Sequence, residues 1–307
     1  MNKTFGVRVP ATTANVGSGF DTLGISLSLY NEVYYTPEEG TLLINSEFQV
    51  EGEGQSEIHS GEDNMILQAM KAVQEKTGKN IPGGRFKLVN RIPLARGLGS
   101  SSSALVAGAF LGNIYLGNIL NKKEILDITA VLEGHSDNVA PAVLGGFCIS
   151  LFNNGRVEYE KVSIHSDWKA VVAIPEFKLL TERARGILPD RYSRNDVVNN
   201  IGSLSFLLSA FLLQKPEFLK IGLEDRIHVP YRLQLIPGAE EALQNAYNAG
   251  AYGATISGSG PTIIAFSNEK NAESIGENMI KAFEKQNLKS KYMILDFDPT
   301  GVTSIIY

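Results

Sequence analysis

The sequence predicts a two-domain α+β protein. The chain of 307 residues is too long for one ordinary core and suits two compact domains, or one large one. Its apolar patterning gives short strands and helices in mixed order, not a regular βαβ array. Neither an internal repeat nor a low-complexity linker interrupts it. The expected division is 1–155 and 156–307.

Residues 5–9 and 32–35 read as strands, and 10–23 between them reads as a loop too polar for a strand. Residues 41–50 alternate loosely and continue the sheet. Ile66, Ala69, Met70 and Val73 recur at helical spacing over 64–76, with Asp63 placed as N-cap. A short strand at 86–89 leads into Arg91-Ile92-Pro93. The segment 104–120 is apolar nearly all round, as a helix buried on most faces is, and 122–133 is an amphipathic helix. A central strand is expected at 147–152, after Gly145-Gly146.

The second half starts near Val157. Strands are predicted at 168–174, 262–266 and, as the last, 290–295; helices are predicted at 240–248 and 271–286. Residues 197–214 carry no charge, and neither do 97–121, yet Asn, Ser and Gly break both. A membrane span needs about 20 predominantly apolar residues. The first stretch reads as a core helix facing inward through Val197, Ile201, Leu204, Leu208 and Phe211.

Composition excludes several function classes. The net charge is −5 and no Lys/Arg run makes a basic stripe, which argues against a nucleic-acid surface. Cys148 is the only cysteine, so neither an internal disulfide framework nor a cysteine zinc cluster can form. Residues 1–6 lack the apolar core of a signal peptide, and the expected compartment is the cytoplasm.

The strongest chemical signal is Pro93-Leu94-Ala95-Arg96-Gly97-Leu98-Gly99-Ser100-Ser101-Ser102-Ser103. Glycines on either side of Leu98 allow consecutive amides to face one anion. The apolar helix that follows adds the partial positive charge of its N-terminus, a phosphate site. By pattern alone, a Ser-rich turn capping an ordinary helix stays equally open. Other phosphate motifs fail: no G-x-x-x-x-G-K-[ST] occurs, and Gly17-Ser18-Gly19-Phe20-Asp21-Thr22 breaks G-x-G-x-x-G at its last position. His135-Ser136-Asp137 echoes a protein-kinase loop but has no D-F-G partner. Three further clusters, 10–21, 133–141 and 257–261, each read alone as a turn with side-chain-to-backbone bonding.

Together these clusters resemble the GHMP kinase superfamily, whose N-terminal loop, P-x-x-x-G-L-G-S-S and C-terminal glycine turn occur here in family order from Val9 to Phe266. Within it, 10–21, 133–141, Thr181-Glu182-Arg183-Ala184-Arg185 and Pro230-Tyr231-Arg232 are similar to the homoserine-phosphorylating branch. The resemblance implies an N-terminal ribosomal-protein-S5-like domain carrying the phosphate loop and a ferredoxin-like C-terminal domain. It implies ATP and Mg²⁺, homoserine as small-molecule substrate, and a place in threonine biosynthesis. A homodimer is compatible with it.

By the same resemblance, residues 93–103 hold the phosphates with Thr181 nearby, and Asn64 meets the adenine edge. Ser101 and Glu133 hold Mg²⁺, although Glu133 stands only two residues from His135. Arg185 and Arg232 match the clamp for the substrate carboxylate, with arginine the better fork for such a group. Asn15, Asp21, His135 and Asn138 surround the amino and hydroxyl ends. Asn138 stands where other members have a catalytic aspartate, and an amide cannot take a proton at neutral pH. The expectation is direct attack by the hydroxyl, oriented by Asp21, with Asp21 as a true base the rival. A mevalonate-type kinase and a catalytically silent ligand sensor are the alternatives.

Overall fold

The computed structural model describes residues 3–305, so Met1 and Asn2 of the N-terminal reading lie outside it, as do Ile306 and Tyr307 of the second expected domain. Ten residues form β1 (Phe5–Ala14), followed by β2 (Leu23–Pro37), β3 (Glu47–Gly52), α1 (Met65–Thr77) and β4 (Gly84–Asn90). Then come α2 (Ser100–Tyr115), α3 (Lys122–Glu133), α4 (Val139–Leu144), β5 (Phe147–Asn153) and β6 (Arg156–Val162). Among the described residues these strands lie in one seven-stranded sheet, ordered β11-β1-β2-β4-β3, in which β5 pairs with β2 and β6; β11 is Thr303–Ile305. β3 runs parallel to β4, and the other pairings are antiparallel.

The second half adds β7 (Trp168–Pro175), the helices α5 (Thr181–Gly186), α6 (Arg194–Leu212), α7 (Leu219–Gly222), α8 (Val229–Leu233) and α9 (Ala239–Asn248), then β8 (Gly253–Ile256), β9 (Ile263–Asn268), α10 (Glu269–Glu284) and β10 (Ser290–Leu295). Its antiparallel sheet has the order β10-β7-β9-β8. With α9 and α10 as the crossovers, this is the β-α-β-β-α-β arrangement of a ferredoxin-like domain. No helix of the described residues is long and apolar enough to cross a membrane.

Several boundaries differ from those expected, each for a physical reason. Residues 10–14 belong to β1, because their hydroxyls are satisfied: Thr12 Oγ1 donates to Asn138 Oδ1 at 2.8 Å and Thr13 Oγ1 lies within hydrogen-bond distance of Ser257 Oγ, at 2.9 Å. The loop proper is therefore confined to 15–22. Residues 43–45 form a 3-10 turn, and the strand starts only at Glu47. α1 is capped by Asn64, not Asp63: Asn64 Oδ1 accepts from Ile66 N at 3.0 Å and Leu67 N at 3.3 Å. α2 begins at Ser100, four residues before the apolar run, and ends at Tyr115. The expected division at 155 falls in the β5–β6 turn, where Asn153 pairs with Arg156 and the chain returns to the first sheet as far as Val162. The strand at 290–295 is not the last, since Thr303–Ile305 comes back to pair with β1.

α6 meets the expectation in part: Phe211 is buried and Leu204 and Leu208 pack against the core. It buries Ser203, Leu207, Ala210 and Phe211, while Val197 and Ile201 are exposed. The decisive contact is aromatic. Phe211 stacks on Phe147 of β5 at 4.3 Å and meets Trp168 of β7 at 5.4 Å and Phe266 of β9 at 5.9 Å. Both sheets thus share one apolar core with Leu23, Ile25, Val172 and Ile264. Truncating this hub removes packing from both domains. Phe211→Ala is expected to cost about 3–5 kcal/mol, read as a fall in the urea midpoint at unchanged slope.

Candidate active site

The phosphate loop is held with its carbonyls turned toward protein. Ala95 O accepts from Leu179 N at 3.3 Å, Gly97 O from Ser257 Oγ at 2.6 Å and Leu98 O from Thr12 N at 3.1 Å. The first intrahelical bond of α2 is Ser103 N to Gly99 O at 2.9 Å. The amides of Ser100, Ser101 and Ser102 therefore precede the helical ladder, as at any helix start. Two glycines make this possible. Gly97 (φ +74°) and Gly99 (φ +70°) are left-handed, and a Cβ would lie 2.2 Å from Ser257 O in the first case and 2.0 Å from Thr12 Oγ1 in the second.

α3 delivers the acidic side. It ends at Gly134, and its last residue, Glu133, reaches back to the loop: Oε1 accepts from Ser101 Oγ at 2.6 Å and from Ser102 Oγ at 2.9 Å. The two-residue spacing to His135 does not displace the carboxylate. A hydroxyl and a carboxylate side by side at a phosphate loop form a hard oxygen pair, the donor set Mg²⁺ takes alongside phosphate and water. Among the described residues no group of three or more His, Cys, Asp or Glu forms a metal cluster, which a site completed by phosphate oxygens does not require.

The stretch after α3 lines the same cleft. His135 Nδ1 lies 2.6 Å from Asp137 Oδ1, which also accepts from Asn138 N at 3.0 Å. Burial alone would push the His135 imidazole down; the Asp137 hydrogen bond, with the charges of Asp137, Glu133 and Asp21, outweighs it and raises the pKa. Asn138 presents Oδ1 to Thr12, which leaves its Nδ2 as the free end of the amide.

The opposite wall carries two arginines in different states. Arg185 makes a fork to Asp21, with Nη1 and Nη2 each 2.8 Å from a carboxylate oxygen. The Asp21 hydrogen bond outweighs burial and raises the Arg185 pKa. Asp21 is held in turn by Asn15, whose Oδ1 accepts from its amide at 3.0 Å. Arg232 is 1% exposed. Its Nε donates to Ala184 O at 3.1 Å and its Nη1 to Gly258 O at 3.2 Å. Burial, reinforced by Arg185, pushes its pKa down to about 10, so it remains a cation at neutral pH.

These groups meet in one cleft of ≈ 290 Å³, lined by Asn15, Gly97, Gly99, Ser100, Ser101, Glu133, His135, Asn138, Thr181, Arg185 and Arg232. A second cleft of ≈ 290 Å³ adjoins it through Met65, Ala95, Ser100 and Ser101. Val33, Ile58, Leu88 and Leu94 give it apolar walls, and Asn64 lines it. The Asn64 amide is committed at both ends: Oδ1 caps α1, and Nδ2 donates to His59 O in the preceding loop at 2.8 Å. Thr181 Oγ1 is 3.3 Å from Ser259 Oγ.

Not every predicted residue reaches a cleft. Leu98 is buried in the core, Pro93 lies on the far side of the loop, and Ser102 acts only through Glu133. The prediction passed over Asp137, Thr12 and His228. The first was legible beside His135 and Asn138; the other two act through partners far away in sequence.

Two family models and several relatives match the chain. The GHMP kinases N terminal domain matches residues 64–146, and the GHMP kinases C terminal domain matches 210–285. A homoserine kinase of Carboxydothermus hydrogenoformans is 46% identical over 300 residues, covering 98% of this chain and 96% of its own. One of Persephonella marina is 40% identical over 300 residues, covering 97% of each. The crystal structure of homoserine kinase from Cytophaga hutchinsonii matches with a TM-score of 0.89 at 30% identity, covering 99% of this chain and 98% of that one.

Gly97→Ala places a methyl group against the Ser257 carbonyl at a left-handed residue. Strain of about 1–3 kcal/mol at the loop should weaken ATP binding about tenfold or more by calorimetry, while Gly40→Ala, at an open turn, leaves it unchanged.

Proposed function

The chain belongs to the GHMP kinase family, in its homoserine kinase branch, and on that premise we propose that it transfers the terminal phosphate of ATP to the side-chain hydroxyl of L-homoserine. The products are O-phospho-L-homoserine and ADP. One observation carries the reading. A phosphate-facing helix start, an oxygen pair for a divalent cation and two arginines line a single cleft, and Asp21 pairs with one of those arginines.

The residues divide the work as follows. The apolar-walled cleft takes the adenine and ribose, and the amides of Ser100 to Ser102 receive the phosphates at the positive end of α2. Ser101 and Glu133 hold Mg²⁺, which when bound neutralises phosphate charge. Homoserine is a zwitterion with a hydroxyl on a short arm. Arg232 and Arg185 take its carboxylate, and Asp137, Asp21, Asn15 and His135 surround its ammonium and hydroxyl. Thr181 stands at the phosphate end. The reading takes the cytoplasm as compartment, consistent with an unpaired, buried Cys148.

No general base is required. The hydroxyl oxygen bonds to the γ-phosphorus, the bond from that phosphorus to the bridging oxygen of ADP breaks, and the hydroxyl proton leaves with the transferred phosphoryl group or to solvent. Phosphoryl transfer draws mostly on positioning and charge, with little bond-making to the nucleophile at the barrier. Asn138 offers a donor, which can steer the hydroxyl but cannot deprotonate it. Both oxygens of Asp21 already accept from Arg185, which favours orientation over proton abstraction.

Two measurements test this. A coupled assay with ATP·Mg²⁺ should show turnover of L-homoserine and not of mevalonate; activity on another alcohol alone would overturn the substrate, and nucleotide binding without turnover would favour the sensor. Asp21→Asn should keep kcat within about tenfold of wild type while raising KM for homoserine. A fall in kcat of about a thousandfold or more would make Asp21 the base.

A further inference from the structure

Beneath the substrate wall lies a buried histidine that the reaction as described does not use. His228 is fully buried and immediately precedes α8, the short helix that carries Arg232. Its backbone is fixed by Asp225, whose Oδ2 accepts from the amides of Ile227, His228 and Val229 at 3.1, 2.7 and 2.7 Å. Its ring touches both halves of the site. Nε2 lies 2.8 Å from the carbonyl oxygen of Gly17, in the loop that holds Asn15 and Asp21. Nδ1 lies 3.3 Å from Nη1 of Arg232.

These contacts select one state of the ring. A carbonyl only accepts, so Nε2 carries the hydrogen; a guanidinium only donates, so Nδ1 carries the lone pair. An imidazolium would set an N–H against an N–H and a second positive charge beside Arg232. The groups facing His228 are Asp225 at 3.9 Å, Arg232 and, farther off, Asp21. Burial keeps its pKa below the ordinary histidine value. Phe20 covers the assembly: its ring stacks on His228 at 5.1 Å and lies 5.2 Å from the Arg232 guanidinium and 5.5 Å from that of Arg185.

We propose that His228 is a positioning residue for the amino-acid substrate, a neutral Nε2–H bracket that registers Arg232 against the Asn15–Asp21 loop. The proposal rests on the homoserine reading above. Arg232 Nε and Nη1 are occupied by Ala184 O, Gly258 O and His228 Nδ1, so Nη2 is the nitrogen left to meet a ligand carboxylate. Through Gly17 O the same ring sets the height of the loop that meets the other end of the ligand. The distance between the two grips is thus set by one imidazole, touching neither ATP nor the metal pair.

Two amide variants separate the contacts. In His228→Gln the side-chain NH₂ can replace Nε2–H at Gly17 O but leaves Arg232 without its acceptor. In His228→Asn the side-chain oxygen can replace Nδ1 and restore the Arg232 contact. The expected result is a KM for homoserine raised about tenfold in H228Q and about threefold or less in H228N, with KM for ATP within about twofold of wild type in both. A purely structural histidine would instead lower Tm and affect both KM values alike, and that outcome overturns the proposal. So do two variants with the wild-type KM for homoserine. Wild-type enzyme without homoserine turnover would sink the substrate reading and this inference with it; turnover in the wild type with unaffected variants sinks this inference alone. Nitrogen-15 spectra of the histidines in the wild-type protein test the ring state even if neither variant folds. His228 should be the neutral Nε2–H tautomer at pH 7, since burial holds its pKa below the ordinary histidine value. An Nδ1–H tautomer or an imidazolium at pH 7 overturns the bracket.

Discussion

The site depends on where the carbonyls of one loop go. A helix start offers amides to an anion only if the preceding carbonyls are turned elsewhere, and a buried carbonyl needs a donor. Here β1 supplies Thr12 N, the segment before α5 supplies Leu179 N, and the C-terminal glycine turn supplies Ser257 Oγ. Both domains therefore contribute donors to a loop that belongs to the first. Ser257 Oγ also lies 2.9 Å from Thr13 Oγ1, so the same hydroxyl ties the glycine turn to β1. The phosphate loop acquires its shape from the closed interface between the sheets, and Phe211 below holds that interface shut.

Electrostatics follow the same division. The first domain brings the acidic residues Glu133 and Asp137, and the second brings Arg185 and Arg232, with Asp21 crossing to pair with Arg185. Burying a guanidinium is costly unless its donors are met. Arg232 is met by two carbonyls and an imidazole nitrogen, all fixed by backbone, and Phe20 supplies an aromatic face. Such a cation is held in place without an acidic partner of its own, which leaves its charge available to a carboxylate ligand. Arg185, by contrast, can take a ligand only by sharing its fork with Asp21. The two arginines of the expected clamp are therefore unequal.

What the sequence made legible was local chemistry. Gly97, Gly99 and the serines announced an anion site because glycine and a helix start act within a few residues. Glu133, His135 and Asn138 stood close together on the chain and remain so in the cleft. The misreadings share the opposite cause. Residues 10–14 looked too polar for a strand because the partners of Thr12 and Thr13 lie 126 and 244 positions away. In α6 apolar spacing puts Val197 and Ile201 in line with Leu204, Leu208 and Phe211, and only the packing on Phe147 shows where that stripe stops being covered. Asp63 and Asn64 are equally good caps by type, and only the backbone decides between them. Arg232 was legible as a cation but His228 was not legible as its partner, since their bond has meaning only with Gly17 on the far side of the ring.

Asn138 shows how the polar strand and the chemistry become one problem. Thr12 donates to its Oδ1, so the amide turns its nitrogen to the cleft. An aspartate at 138 would accept the same bond and present an oxygen instead, a proton acceptor where this chain has a donor. A Cβ on residue 99 would lie 2.0 Å from Thr12 Oγ1 and 3.1 Å from Asn138 Oδ1, so the second loop glycine also guards this bond. One residue thus serves two ends: its backbone turns the phosphate loop, and its missing side chain leaves room for the contact that orients the amide. The phosphate loop and the orientation of the Asn138 amide are coupled here through a single absent methyl group.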